Sequence, residues 1–528
     1  MWEDTSMQRR DMLVGTAGAG LAALAGKALA ADSEASVATA GGSVRGRAVD
    51  GVLVFKGIPF AVAPVGERLF LPPVPARWDG VRDALEFGPK PPQAEYPPMV
   101  QPLIPPELTA AGEDCLTLNI WAPVGGTDLP VMVWIPGGMF EYHATGASPW
   151  YDGTGFARDG VILVSINYRV GAAGFLYLDD GIANVGLLDQ IAALEWVRTN
   201  IAGFGGDPGN VTIFGESAGG LSVGTLLAVP QAKGLFRRAI VESGGGQHVL
   251  TPSTAKRIGV RLAALLGVEP TRAAIGAVPV EKLIEAQNAL RGELTAAPDP
   301  QVWGEVLQTG LPWSPVIDGS VVPGVPLNLV RAGASADVDL LSGFNAEEWR
   351  LFLVPGGAID QIPPPALAGT VAGFGMPVEP TLAAYAQLHP GASTGDLLAA
   401  VMTDWYWRLP ALRLAEAHAA AAGTGTTHMY EFAWRSPQFD GRLGASHAIE
   451  IPFVFDTLGA HAEPLLGAAP PQGLADAVHA AWVAFATTGD PGWAAFDGKR
   501  RATMRFDTTP ALIDDPLAKE RALWEGVR

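Results

Sequence analysis

Asn210-Val-Thr-Ile-Phe-Gly-Glu-Ser-Ala-Gly-Gly220 is the stretch from which the rest of the chain can be read. Val211 to Phe214 are apolar or β-branched and predict a short buried strand, and Leu221 to Val229 predict a helix. Between them Gly215-Glu-Ser-Ala-Gly219 must turn the chain sharply. A strand, Gly-x-Ser-x-Gly and a helix together describe a nucleophile elbow. The serine sits on a strained turn with its hydroxyl clear of both elements. The residues two before and two after pass so close that only small side chains fit, which Gly215 and Gly219 satisfy. An ordinary Gly-Ser turn looks the same in isolation, so the pattern carries weight only with a base, an acid and an oxyanion-binding turn elsewhere.

On either side of this stretch the sequence alternates buried strands with helices. Pro130 to Ile135 and Val161 to Tyr168 are apolar strands upstream, and Arg238 to Ser243, Val338 to Gly343 and Thr427 to Phe432 are strands downstream. Leu187, Ile191, Leu194, Val197 and Ile201 fall on one face of a helix. This is α/β architecture, a mostly parallel sheet covered by helices on both faces. Residues 37–60 predict antiparallel strands at one sheet edge, and Leu116 to Trp121 another strand. The Pro-rich stretch 61–112 reads as a long surface loop. Residues 355–425 read as a helical insertion whose Trp405-Tyr406-Trp407 run is core packing. The tail closes with a helix around Trp482 to Ala486 and a turn at Gly489-Asp-Pro491. Neither a repeat nor a break in composition divides residues 31–528, which are expected to form one domain.

Composition narrows the function. With 528 residues, 48 % of them hydrophobic and 17 % charged, a large core is assured. A formal net charge of −19 argues against nucleic acid or an anionic membrane surface as partner. Residues 1–30 read as a twin-arginine-type signal peptide: Arg9-Arg10, a mildly apolar run from Val14 to Gly26, then Ala28-Leu-Ala30 as a cleavage site. The expected location is periplasmic or extracellular, with no permanent membrane span. The single cysteine, Cys115, leaves no internal disulfide and reads as a packed thiol. The histidines and the cysteine lack ligand spacing, so neither a metal nor a cofactor is expected.

A serine hydroxyl attacks only when a histidine takes its proton and an acid orients that histidine. In α/β-hydrolases the chain order is serine, acid, histidine. His248 follows the elbow too closely; His418 and His479 lie in Ala-rich helices, His428 opens a strand, and His389 precedes Pro390. His447 lies in the small-residue loop Gly444-Ala-Ser-His-Ala-Ile-Glu450, where a catalytic histidine belongs, with His461 the second choice. The acid should follow strand 338–343, where Glu347 and Glu348 are adjacent and spacing does not separate them. For the oxyanion, the N–H of Ala218 and the turn Gly137-Gly138-Met139 are the candidates.

Several blocks in one order resemble the type B carboxylesterase family, which includes para-nitrobenzyl esterases and cholinesterases. They include Gly57-Ile-Pro-Phe-Ala61, Glu113-Asp-Cys-Leu-Thr-Leu-Asn-Ile-Trp121, Asn184-Val-Gly-Leu-Leu-Asp-Gln190, Phe204-Gly-Gly-Asp-Pro208 and the elbow. Gly343-Phe-Asn-Ala-Glu-Glu348 and His447-Ala-Ile-Glu-Ile-Pro-Phe-Val-Phe455 complete the set. The resemblance implies an α/β-hydrolase fold with helical insertions capping the site, and a serine carboxylesterase acting on a small-molecule ester. It further implies Ser217 as nucleophile, His447 as base, Glu348 rather than Glu347 as acid, and Gly138, Met139 and Ala218 as oxyanion donors. Lactones, thioesters, carbamates or amides are alternative substrates for the same chemistry, and a non-catalytic cholinesterase-like binding protein is the alternative of another class. This chain departs from the family at three points: Pro136-Gly-Gly-Met139 replaces the usual His-Gly-Gly-Gly, Trp349 stands where glycine is common, and Cys115 lacks its usual disulfide partner.

Overall fold

The computed structural model describes residues 33–142 and 145–528; the signal-type segment 1–30 lies outside the described residues. Three antiparallel strands come first among the described residues, β1 (Ser33–Thr39), β2 (Gly42–Val49) and β3 (Val52–Pro59). The short β4 (Val81–Asp83) pairs with β2, and β5 (Thr117–Pro123) continues the edge. The strands β6 (Leu129–Ile135), β7 (Ile162–Ile166), β8 (Gly206–Glu216), β9 (Arg238–Glu242), β10 (Asp339–Asn345) and β11 (Thr427–Phe432) follow. The last two are β12 (Ala502–Phe506) and β13 (Ala511–Asp514). They form one sheet in the order β1-β2-β3-β5-β7-β6-β8-β9-β10-β11-β12-β13, parallel from β7 to β12 and antiparallel at both edges. The fold is the α/β-hydrolase fold. β12 and β13 are an addition to the sequence reading: both are short, and β13 is largely exposed, so neither shows the apolar run of a central strand.

Side chains alternate across the sheet as the pleat requires. Val131, Val133 and Ile135 of β6 pack into one apolar layer with Leu187, Leu194 and Val197 of the helix Val185–Asn200. Met132 and Trp134 of the same strand face the other way, into a layer with Phe214, Phe455 and Trp482. Each such side chain, fully removed from water, contributes about 1.5–3 kcal/mol relative to exposure. The family-like block at 184–190 is structural: Asp189 makes a buried ion pair with Arg169 at 2.6 Å, and the Asn184 amide brackets the backbone of Val316. Cys115 is a buried free thiol that burial pushes up to about 12, which keeps it protonated and inert. No helix among the described residues is long and apolar enough to cross a membrane.

The insertion over 355–425 is helical. Helices Pro364–Gly373, Val378–Leu388 and Thr394–Thr403 lead through a π-helical turn, Asp404–Arg408, into helix Leu409–Ala420. The final residues of the chain fold back on it. Trp524 donates its indole N–H to the Tyr385 hydroxyl at 2.8 Å, and the Arg528 guanidinium lies over the Trp405 ring, 4.1 Å from its centroid.

Candidate active site

Parallel strands present their carboxyl ends on one side of the sheet, and the site is built there. β8 runs straight into Ser217, whose φ of 58° and ψ of −123° lie outside the ordinary regions for a side-chain-bearing residue. Holding such a conformation costs of order 1–3 kcal/mol. The helix Ala218–Leu226 starts on the next residue. Close approach explains the flanking glycines: a Cβ at Gly215 would lie 2.7 Å from the carbonyl carbon of Gly219, and one at Gly219 would collide with the Ile135 carbonyl oxygen.

β10 ends in the turn that carries Glu347 and Glu348. The two point in different directions. Glu347 pairs with Arg350 at 2.9 Å and with Arg435, near the surface. Glu348 is fully buried. Its Oε2 meets His447 Nδ1 at 2.6 Å, while Oε1 accepts from the Ser243 hydroxyl at 2.6 Å and the Asn345 N–H at 2.7 Å. The His447 N–H bonds back to the Glu348 carbonyl oxygen at 3.2 Å, so backbone and side chains register the two loops against each other. His461, by contrast, is exposed on a loop.

His447 Nε2 faces the elbow, 3.1 Å from Glu216 Oε1 but off the axis of a hydrogen bond. Glu216 directly precedes Ser217, and Trp407, which stacks on the imidazole, lines the same cavity as Ser217. The Ser217 hydroxyl makes no hydrogen bond among the described residues. A nucleophile–base contact commonly tightens only when the reacting carbonyl arrives.

Beneath these groups lie Glu216, Glu242, Glu348 and Glu450, all buried. Burial, then the repulsion of Glu450, Glu348 and Glu242, pushes Glu216 well above the usual carboxylate range. Burial raises Glu450 likewise, reinforced by Glu348 and Glu242. Burial also lifts Glu242 to about 8, opposed by the indole N–H of Trp482, which donates to Oε1 at 2.7 Å. Ser243, Asn345 and Glu450 were not singled out in the sequence. Ser243 and Asn345 sit at the carboxyl ends of β9 and β10, and that position is the signal that finds them.

The turn after β6 lies against Ser217: a Cβ at Gly137 would come 3.1 Å from the Ser217 Cβ. Gly138 has a φ of 106°, and a Cβ there would collide with the Tyr142 carbonyl oxygen. Met139 adopts a φ of 56°, a conformation glycine reaches without strain. Ala218 is the first residue of its helix, so its N–H has no intrahelical acceptor. Ser217, Met139, Phe140, Ser243 and Ala448 all have left-handed φ values, a concentration of strain around one point.

Above Ser217 is a cavity of 310 Å³. Its lining includes Met139, Leu221, Trp349, Phe352, Tyr406 and Trp407. Trp349, one of the departures from the family, packs on Phe352 at 4.9 Å and Tyr406 at 5.3 Å, so it narrows the cavity rather than disturbing the acid beside it. The Trp405–Trp407 run corrects the core-only reading. Trp405 stacks on Phe374 away from the site, whereas Tyr406 and Trp407 form the cavity wall. Arg291 also reaches this lining, held by Glu141 and by the Gly310 carbonyl oxygen at 3.4 Å. From the 61–112 loop, Tyr96 stacks on Tyr142 at 5.2 Å, with its hydroxyl beside Gly138.

Known proteins resemble this chain along nearly its whole length. Residues 33–362 and 381–524 match the carboxylesterase family. A para-nitrobenzyl esterase of Bacillus subtilis is 37 % identical over 503 residues, 92 % of this chain and 97 % of that protein. A phenmedipham hydrolase of Pseudarthrobacter oxydans is 34 % identical over 86 % of this chain and 90 % of its own length. The crystal structure of the Geobacillus stearothermophilus carboxylesterase EST55 superposes with a TM-score of 0.80 at 38 % identity, covering 93 % of this chain and 99 % of that one. The chain belongs to the carboxylesterase family and is a serine-type carboxylic ester hydrolase.

Proposed function

We propose that, within this family's chemistry, Ser217 is the nucleophile, His447 the general base and Glu348 the acid that orients it. The observation that carries the assignment is the 2.6 Å contact of Glu348 with His447 Nδ1, beside a strained elbow serine that opens on a cavity. The Ser217 oxygen attacks the ester carbonyl carbon as His447 Nε2 takes its proton. The oxyanion formed is held by the N–H groups of Gly138, Met139 and Ala218. Collapse expels the alcohol, which receives the proton from His447, and leaves Ser217 acylated. Water, deprotonated by the same imidazole, then releases the acid. Glu348 keeps Nδ1 as the donor nitrogen and compensates the positive charge of the imidazolium.

The lining of the cavity points to esters with an apolar acyl or aryl portion, since aliphatic and aromatic residues line it alongside Ser217 and the charge of Arg291 is tied to Glu141. A panel of 4-nitrophenyl and benzyl esters of increasing acyl length tests this; a preference for charged esters would reject it. Ser217→Ala should abolish both turnover and labelling by a fluorophosphonate while the thermal transition persists. Retained labelling would overturn the nucleophile. The sequence of residues 1–30 also supports export in the folded state, to the periplasm or beyond. Replacing Arg9 and Arg10 with lysine should hold the protein in the cytoplasm on cell fractionation.

A further inference from the structure

The capping insertion changes its helical pitch directly above the imidazole. Helix Thr394–Thr403 passes into the π turn Asp404–Arg408 before regular winding resumes at Leu409. A π turn is rare and is kept mostly where it re-aims side chains at a functional site. Here it spreads three successive aromatic residues. Trp405 lies flat on Phe374, with centroids 4.1 Å apart and planes 12° apart, Tyr406 donates its hydroxyl to the Thr309 carbonyl oxygen at 2.6 Å, and Trp407 covers His447. The indole and imidazole centroids are 4.4 Å apart, with planes 22° from parallel. Trp407 is itself buried. A buried ion pair of Asp404 and Arg408 at 2.6 Å, with Tyr385 bonded to the same carboxylate, locks the turn.

We propose that Trp407 is a positioning residue for ester hydrolysis, holding the His447 ring by its face and favouring the imidazolium that forms when Ser217 loses its proton. The face of an indole carries negative quadrupolar potential and attracts a cation stacked on it, most strongly where water is excluded. It attracts the neutral ring less, so the contact strengthens as the transition state is approached, which is the condition for a contribution to kcat. The charged groups around His447 are Glu348 from the turn after β10, Glu216 from the end of β8, and behind them Glu242 from β9 and Glu450 from its own segment. Of these, Glu348 meets the ring at Nδ1 and Glu216 lies nearest Nε2, whereas Trp407 stacks on a face of the ring. Phe352 approaches at a tilt, 5.6 Å from the imidazole centroid, and so stacks less closely.

The inference rests on His447 being the base, and the experiment separates the two. Trp407→Phe keeps an aromatic face, while Trp407→Leu keeps an apolar wall without one. For 4-nitrophenyl butyrate, both should alter KM to a similar extent. The phenylalanine variant should keep kcat within about threefold, and the leucine variant should lose about tenfold, equivalent to about 1.4 kcal/mol. The acid limb of kcat/KM should move to lower pH in the leucine variant only, because the protonated ring has lost its partner. Fluorophosphonate inactivation should slow in parallel. If leucine does not fold there, Trp407→Met takes its place. Equal kcat and equal pH profiles for the aromatic and aliphatic variants would overturn the proposal. Full labelling of a His447→Ala variant would instead overturn the base assignment on which it rests.

Discussion

The floor of the site and its wall are held in place differently. Ser217, Glu348 and His447 stand on strand ends or on the loop after β11, fixed by hydrogen bonds of 2.6–3.2 Å and by strained backbone. Trp349, Phe352, Tyr406 and Trp407 come from the segments inserted after β10, where they meet one another ring on ring, with directional bonds confined to the backbone turn and the Tyr406 hydroxyl. Directional bonds tolerate little displacement, so the floor dictates one chemistry. Ring packing is broad and forgiving, so the wall can be rebuilt to admit a different ester.

That contrast can be broken by substitution. Changes in the floor should act on kcat and changes in the wall on KM and on the ranking of substrates, with Trp407, which stacks on His447, as the exception. The largest effect belongs to Ser217→Ala, with a loss on the order of 10⁴-fold or more in kcat, measured by burst and steady-state assays. Glu348→Gln should leave the fold intact yet cost about 10³- to 10⁴-fold, because the amide no longer enforces the imidazole tautomer. A loss below tenfold would show that the acid does not orient His447.

A third prediction concerns stability. Glu242, with a folded-state value of about 8 against an ordinary 4.5, keeps its proton in the native state across a range where the unfolded chain has lost it. Its contribution to stability is present below about pH 4.5 and is lost as pH rises towards 8, a decline on the order of a few kcal/mol. Denaturant midpoints at pH 6 and pH 9 should converge in Glu242→Gln; an unchanged gap would show that this carboxyl is not the source. The smallest effect is expected in the wall. Trp349→Gly should enlarge the cavity and favour bulkier acyl groups by about tenfold in kcat/KM, with kcat on small esters little changed.

The elbow was legible because its geometry demands small residues at fixed offsets, and the parallel strands because both faces of the sheet are buried. Eliminating histidines in helices and strands left His447 and His461, and only the family resemblance settled the choice on His447. The choice between Glu347 and Glu348 could not be made from spacing, since neighbouring residues on a turn diverge. What separates them is tertiary: Arg350 and Arg435 for one, His447, Ser243 and Asn345 for the other. The wall was the least legible. A helical period of 3.6 residues predicts where Trp405, Tyr406 and Trp407 point, and a π turn invalidates that period. Nothing local to Trp349 shows that it packs on Tyr406 in the cavity wall.

The strap formed by Trp524 and Arg528 across Tyr385 and Trp405 bears on the order in which the molecule is finished. Residues 404–408 leave the ribosome well ahead of the segment that buttresses them. The strands that lead into Ser217, Glu348 and the His447 loop are therefore all made before the residues that buttress the aromatic face.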